Sequence, residues 1–166
     1  AVIDAVRRCW ASMWTARVTA YRQQQGFDGE HERLAVVVQQ MVAADVAGVM
    51  FTANPMTSRT DEIVINASWG LGEGVVSGIL NPDTFVIDRT TLAVKSLEVG
   101  DKEKKVVRDP ESGRGTIEQL TSAEERSATS LEPVQAEALS RLGRDVMQQY
   151  GGLPQDIEWA LSDGTL

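Results

Sequence analysis

The chain is poor in the residues that do conspicuous chemistry. It has one cysteine, Cys9, and one histidine, His31, in 166 residues. One thiol excludes a disulfide framework, and one thiol with one imidazole excludes a zinc cluster. Cys9, within an apolar helical pattern, reads as a small core residue. His31 sits in the polar stretch "GEHER" and reads as solvent-exposed, without a partner for a Ser-His-Asp or Cys-His arrangement. Positive charge is also in deficit: 16 Lys and Arg against 24 Asp and Glu give a net charge of −8. That excludes a general nucleic-acid or acidic-membrane surface, though not a local phosphate pocket. There is no apolar run of about 18 residues to span a bilayer and no signal peptide, so the expected setting is the cytoplasm.

What is present suits one domain. An apolar share of 42% and a charged share of 24% are ordinary for a globular chain. At this length roughly 70% of the unfolded surface can be buried. The chain begins with Ala1 rather than Met, so a piece of something longer is expected.

Residues 2–25 read as one amphipathic helix, with Val2, Ile3, Val6, Trp10, Met13, Trp14, Val18 and Tyr21 at spacings of three and four. The two tryptophans read as core. "LAVVVQQMV" (34–42) and "VAGVMFTA" (46–53) read as strands. "NPMTSRTDE" is a loop, "IVINAS" a third strand, and "WGLGEGVVSG" a glycine-rich turn. "DTFVID" and "LAVKSLEV" form a hairpin around "RTT". "GDKEKKVVRDPESGRG" forms another hairpin arm and an exposed loop, its lysines a solvated face. Residues 133–150 form a helix with Pro133 in its first turn and a stripe of Val134, Ala138, Leu139, Leu142, Val146 and Tyr150; Gly151 and Gly152 stop it. "DIEWAL" is the last strand. The pattern is α+β with an antiparallel sheet.

Three stretches could carry chemistry. In "DIEWAL", Asp156 and Glu158 are two apart and leave one sheet face together, with Trp159 on the other. Two carboxylates held close need a proton or cation between them, and Mg²⁺ prefers oxygen ligands with phosphate co-ligands. Spacing alone favours the plainer reading, a polar strand side facing water. In "NASWGLGEGVVSG", four glycines fall within nine residues, which suits an anion-cradling loop or equally a tight turn. It matches neither common phosphate-loop pattern, and no lysine follows. In "VVVQQMV", Gln39 and Gln40 interrupt an apolar run; buried amides need partners, so either one faces solvent or the backbone there meets a planar heterocycle.

Taken in order, "VVVQQMVAADVAGVMFTANP", "INASWGLGEGVVSGILNPDTFVID" and "GGLPQDIEWALSDGTL" resemble the ATP-grasp nucleotide-binding domain of the phosphoenolpyruvate synthase family, which includes pyruvate phosphate dikinase and rifampin phosphotransferase. The resemblance implies an ATP-grasp-like fold, its carboxy-terminal portion, over 1–166, as a single partial domain of mostly antiparallel sheet with flanking helices. It implies ATP and Mg²⁺ as cofactors. "QQMV" matches the adenine hinge, where the Gln40 carbonyl accepts from the adenine amino group, the Val42 N–H donates to a ring nitrogen, and Met41 packs the ring. Glu158 matches the family's metal-binding glutamate, and Asp156 is its neighbour on the same face. Glu73 receives no role. The family's next strand carries a metal-binding glutamine and a phosphate-contacting arginine, expected beyond Leu166. Its amino-terminal lysine, arginine and glycine-rich loop are expected before Ala1.

The swivelling phosphohistidine domain and the acceptor domain are likewise expected outside this chain, the former as a partner within the parent protein, and His31 is not that histidine. The implied activity is dikinase-type phosphotransfer: phosphate passes from ATP through a histidine to pyruvate, giving phosphoenolpyruvate and AMP. Rifampin is the alternative acceptor. A nucleotide-binding or interaction module without catalysis is the alternative of another class, and the isolated fragment is expected to be inactive.

Overall fold

The structure, a computed structural model, describes residues 1–26 and 33–166. The expectation for His31 falls outside the described residues. The chain divides into two compact units, Ala1–Met41 and Val42–Leu166.

In the first unit the single expected helix is two: α1, Val2–Ser12, and α2, Ala16–Gln25. Hydroxyls at the junction compete for helical carbonyls. Ser12 Oγ donates to the Cys9 carbonyl and Thr15 Oγ1 to the Ser12 carbonyl, and Thr15 turns to extended backbone as the N-cap of α2. Gly26 ends α2 in the left-handed conformation, φ 74°. The tryptophans are not core: Trp10 is 52% and Trp14 71% exposed. Trp10 donates its indole N–H to the Leu34 carbonyl, and the Arg22 guanidinium lies 5.1 Å above the Trp14 ring. Cys9 is exposed as well, so it is not the core residue its helical setting suggested.

The strand expected over 34–42 does not form. Residues 33–44 have no regular structure, and Val37 is 81% exposed. A β-branched run becomes a strand only with a neighbour to pair and a surface to pack on, and here no described strand lies alongside. Gln39 and Gln40 are exposed, which removes the question of buried amides.

The second unit is built on a five-stranded, wholly antiparallel sheet. Its strands are β1 (Val46–Phe51), β2 (Glu62–Trp69), β3 (Asp83–Asp88), β4 (Val94–Glu98) and, from the end of the chain, β7 (Asp156–Leu161), in the order β4-β3-β2-β1-β7. A second hairpin pairs β5 (Lys104–Arg108) with β6 (Thr116–Leu120). The helices are α3 (Glu73–Val76), α4 (Ala123–Ser127) and α5 (Pro133–Gln149). The fold is therefore α+β with a mostly antiparallel sheet and flanking helices, compatible with the ATP-grasp-like domain expected.

Alternation along the strands sends Val46, Met50, Ile63, Ile65, Phe85, Ile87, Trp159 and Leu161 into one core, where they meet Leu131, Ala136 and Leu139. The buried face of α5 is Ala136, Leu139, Ser140, Gly143 and Met147; of the expected stripe Leu139 is buried, whereas Val134, Leu142 and Tyr150 are exposed. A side chain at Gly143 would come within 2.5 Å of the Met50 methyl. Small residues at Ala136, Ser140 and Gly143 let α5 lie close on the sheet between Leu139 and Met147.

The lysines of the second hairpin are not all solvated. Lys102 is wholly buried, its ammonium 2.5 Å from Asp83 Oδ1 and donating also to the Gly100 carbonyl. Asp83 is itself buried and accepts from the Gly100 N–H and from the Ser130 N–H and hydroxyl. The pair ties the segment before β5 and the loop before α5 to the start of β3. A buried carboxylate with this many donors satisfies the rule that buried charge be both paired and hydrogen-bonded.

Candidate functional site

The sheet face away from α5 carries the other half of each alternation. Register places Glu158 opposite Val49 and Val49 opposite Asn66, with Asp156 opposite Phe51 and Thr84 opposite Asn66. Over this face opens a cavity of about 410 Å³ lined by Val49, Phe51, Asn66, Val75, Val76, Asp156 and Glu158. The start of β7 is fixed by two bonds: Gln155 N–H donates to Thr52 Oγ1 at 2.7 Å, and Thr52 N–H to the Gln155 carbonyl at 3.0 Å. The direction in which the two acids leave the sheet is thus set by backbone pairing.

Three carboxylates on this face have different surroundings. Glu62 accepts from Lys95 at 2.6 Å and from the Asn54 amide at 2.7 Å, with Arg59 also close. The Lys95 ammonium, then the Asn54 amide, hold its carboxyl below the usual glutamate range. Glu62 is satisfied within the fold. Asp156 and Glu158 are exposed and have neither a hydrogen bond nor an ion pair with any described residue. They supply oxygen donors only, and among the described residues no third His, Cys, Asp or Glu completes a cluster with them.

The glycine-rich stretch runs from β2 into α3 and gives Val75 and Val76 to the wall of the cavity. Gly70 N–H donates to the Asp45 carbonyl, Leu71 N–H to the Val106 carbonyl, and Val75 and Val76 N–H both to the Gly72 carbonyl. Those amides are occupied. The glycines serve close packing: a side chain at Gly70, φ 80°, would meet the Val106 carbonyl oxygen at 2.3 Å, and one at Gly74 would meet Leu80 at 2.4 Å. This packing brings Val75 and Val76 to the cavity. Glu73 faces elsewhere and accepts from Thr116 Oγ1 at 2.9 Å.

Gln40 and Met41 end the first unit and Val42 opens the second. All three are exposed and lie in irregular backbone, and among the described residues the Gln40 carbonyl and Val42 N–H have no hydrogen-bond partner. Asn66 is the cavity residue that sequence reading passed over. It lies in the middle of β2, and only the β1–β2–β7 register shows that it shares a face with Glu158.

The second unit is therefore an α+β domain that gives one sheet face to its core and leaves the other to a cavity with two unpaired acids. Residues 1–166 match the model of the family described as pyruvate phosphate dikinase, AMP/ATP-binding domain, and the chain belongs to that family. It is 47% identical over 171 residues to the phosphoenolpyruvate synthase of Pyrococcus furiosus, a match covering 99% of this chain and 21% of the relative. It is 42% identical to the prodigiosin synthesizing transferase PigC of Serratia marcescens, over 98% of this chain and 18% of that one. It is 36% identical to the rifampicin phosphotransferase of Streptomyces sviceus, again over 98% and 18%. The chain spans about a fifth of the length of these curated relatives.

Proposed function

We propose that residues 1–166 are one partial ATP-grasp domain, the ATP-binding portion of a larger dikinase-type phosphotransferase, and that Glu158 and Asp156 hold Mg²⁺ against the phosphates of ATP. Membership in an AMP/ATP-binding family supports the nucleotide. The observation that carries the metal is the unpaired carboxylate pair projecting from β7 into a ligand-sized cavity, whereas the acid of β2 on the same face, Glu62, is satisfied within the fold. Hard oxygen donors suit Mg²⁺, which keeps phosphates and water as its remaining ligands. Bound there, the ion would neutralise charge developing on the transferred phosphoryl group. The chain's own residues position: β1 and β7 fix the acids, Val75 and Val76 cover the cavity, and Gln40, Met41 and Val42 form the adenine hinge.

The two outer phosphates of ATP then pass as a pyrophosphoryl group to a histidine on a separate domain of the same parent protein, leaving AMP; the outer one is released to water as inorganic phosphate, and the inner one passes to pyruvate, giving phosphoenolpyruvate. Relatives named phosphoenolpyruvate synthase, up to 47% identical, support pyruvate as acceptor. No helix among the described residues is long and apolar enough to cross a membrane, and the single cysteine suits the reducing cytoplasm, where we place the protein.

The test is Glu158→Gln in the full-length protein. AMP formation from ATP should fall roughly 10²- to 10³-fold, the scale of losing one electrostatic stabiliser. An unchanged rate refutes the assignment. Val42→Pro, which removes the hinge donor, should weaken adenine nucleotides; equal affinity counts against the hinge.

A further inference from the structure

Asn66 stands in the same cavity as the acids, yet its chemistry is opposite to theirs. Its carbonyl oxygen accepts from Thr84 Oγ1 at 3.2 Å, and Thr84 is its direct cross-strand partner on β3. The acceptor end of the carboxamide is thereby occupied. The amide NH₂ has no partner among the described residues, and the side chain lines the cavity. An NH₂ group donates hydrogen bonds and binds no cation. It belongs beside an anionic oxygen.

Register also gives a length. Asn66 on β2 and Glu158 on β7 flank Val49 on β1, so two strand spacings, about 10 Å, separate their backbones. Strand side chains stand roughly perpendicular to the sheet, so the two do not converge on one point. A magnesium ion at the acids holds its ligands at about 2.1 Å and reaches no further. One ligand touches both residues only if it extends along the face from a cation-binding end to an anionic end. A chain of phosphates does this; a lone ion or a nucleoside does not.

We propose that Asn66 is a ligand-contacting residue whose carboxamide, oriented by Thr84, donates to a phosphate oxygen of a magnesium-bound polyphosphate. The inference rests on the nucleotide reading above and adds the second contact that fixes the phosphate chain across the sheet. Thr84 is a positioning residue: its hydroxyl holds the carboxamide so that nitrogen, rather than oxygen, meets the ligand.

Calorimetric titration of the full-length protein with Mg·ATP and with adenosine tests it. Asn66→Ala should weaken Mg·ATP about 10- to 100-fold, the scale of a hydrogen bond to a charged group, and leave adenosine within about twofold. Asn66→Asp, the same size, should weaken Mg·ATP more than the alanine, because a carboxylate faces the phosphate. Thr84→Val should give a smaller loss with the same preference for ATP. Wild-type affinity in Asn66→Ala, or equal losses for ATP and adenosine, overturns the proposal. Tighter Mg·ATP binding by Asn66→Asp overturns it too, by making the position a metal ligand. Failure of Asn66→Ala to weaken ATP while Glu158→Gln does so defeats Asn66 alone; a wild-type protein that binds no nucleotide defeats both readings.

Discussion

The two faces of the five-stranded sheet are made by the same strands, one residue out of step. On the face toward α5, Met50, Ile63, Ile65, Phe85 and Ile87 are fully buried. On the other, Val49, Phe51, Asn66, Asp156 and Glu158 open onto a cavity. A period-two alternation divides stability from ligand chemistry, and a slip of one residue in β7 would exchange the acids for Trp159. Substitutions on the first face should therefore move stability and not ligand affinity at equal folding, and substitutions on the second should do the reverse.

The strongest way to break this comparison is at the core. Phe85→Ala removes a fully buried ring and should cost about 3–5 kcal/mol by urea denaturation. Lys102→Met leaves Asp83 as an uncompensated buried charge and should cost a similar amount, about 3–5 kcal/mol. A loss below about 1 kcal/mol from Lys102→Met would mean that Asp83 stays satisfied by Gly100 and Ser130 alone.

Glu158→Gln is the converse. Stability should stay within about 0.5 kcal/mol of wild type, as for an exposed side chain without partners. The loss belongs instead to the ATP reaction. If this variant melts like Phe85→Ala, the division between the faces is wrong.

Acid sharpens the comparison further. Glu62 is held below its usual range first by the Lys95 hydrogen bond, and Glu125 first by the Lys105 hydrogen bond. A depressed folded value means that the unfolded chain takes up the proton first. These contacts therefore contribute fully above the unfolded value, about 4.3, and are lost as pH falls through the folded values. Denaturation midpoints should drop over that acid window, and Lys95→Met with Lys105→Met should flatten the drop. A double variant with the wild-type acid profile would remove both pairs from the account. Smallest of all, Lys104→Ala breaks an exposed pair with Glu118 and should leave the denaturation midpoint at its wild-type value.

How much of this was legible in the sequence depends on what each element needs. The strands 46–51, 62–69, 83–88 and 156–161 were readable because alternation and β-branched residues agree with their burial. So was the pairing of Asp156 and Glu158 on one face, which follows from spacing alone. The run at 34–42 misled because β propensity reports a residue's fit to a pleated surface, not the presence of a neighbour. Of the buried face of α5, Leu139 was legible, but Ala136, Ser140 and Gly143 were missed because the close approach at Gly143 selects small residues, which carry little hydrophobic signal. Lys102 was hidden for a different reason: its partner Asp83 lies 19 residues away, and charge patterning describes only local neighbours. Asn66 needed the strand register, which no single stretch of sequence contains.

The most direct measurement is a crystal structure of the full-length protein with Mg²⁺ and a non-hydrolysable ATP analogue. The account requires a Glu158 oxygen about 2.1 Å from the ion, with the phosphate chain lying over Val49. A nucleotide bound with both β7 carboxylates turned to bulk solvent, and the ion held by other residues, would contradict it.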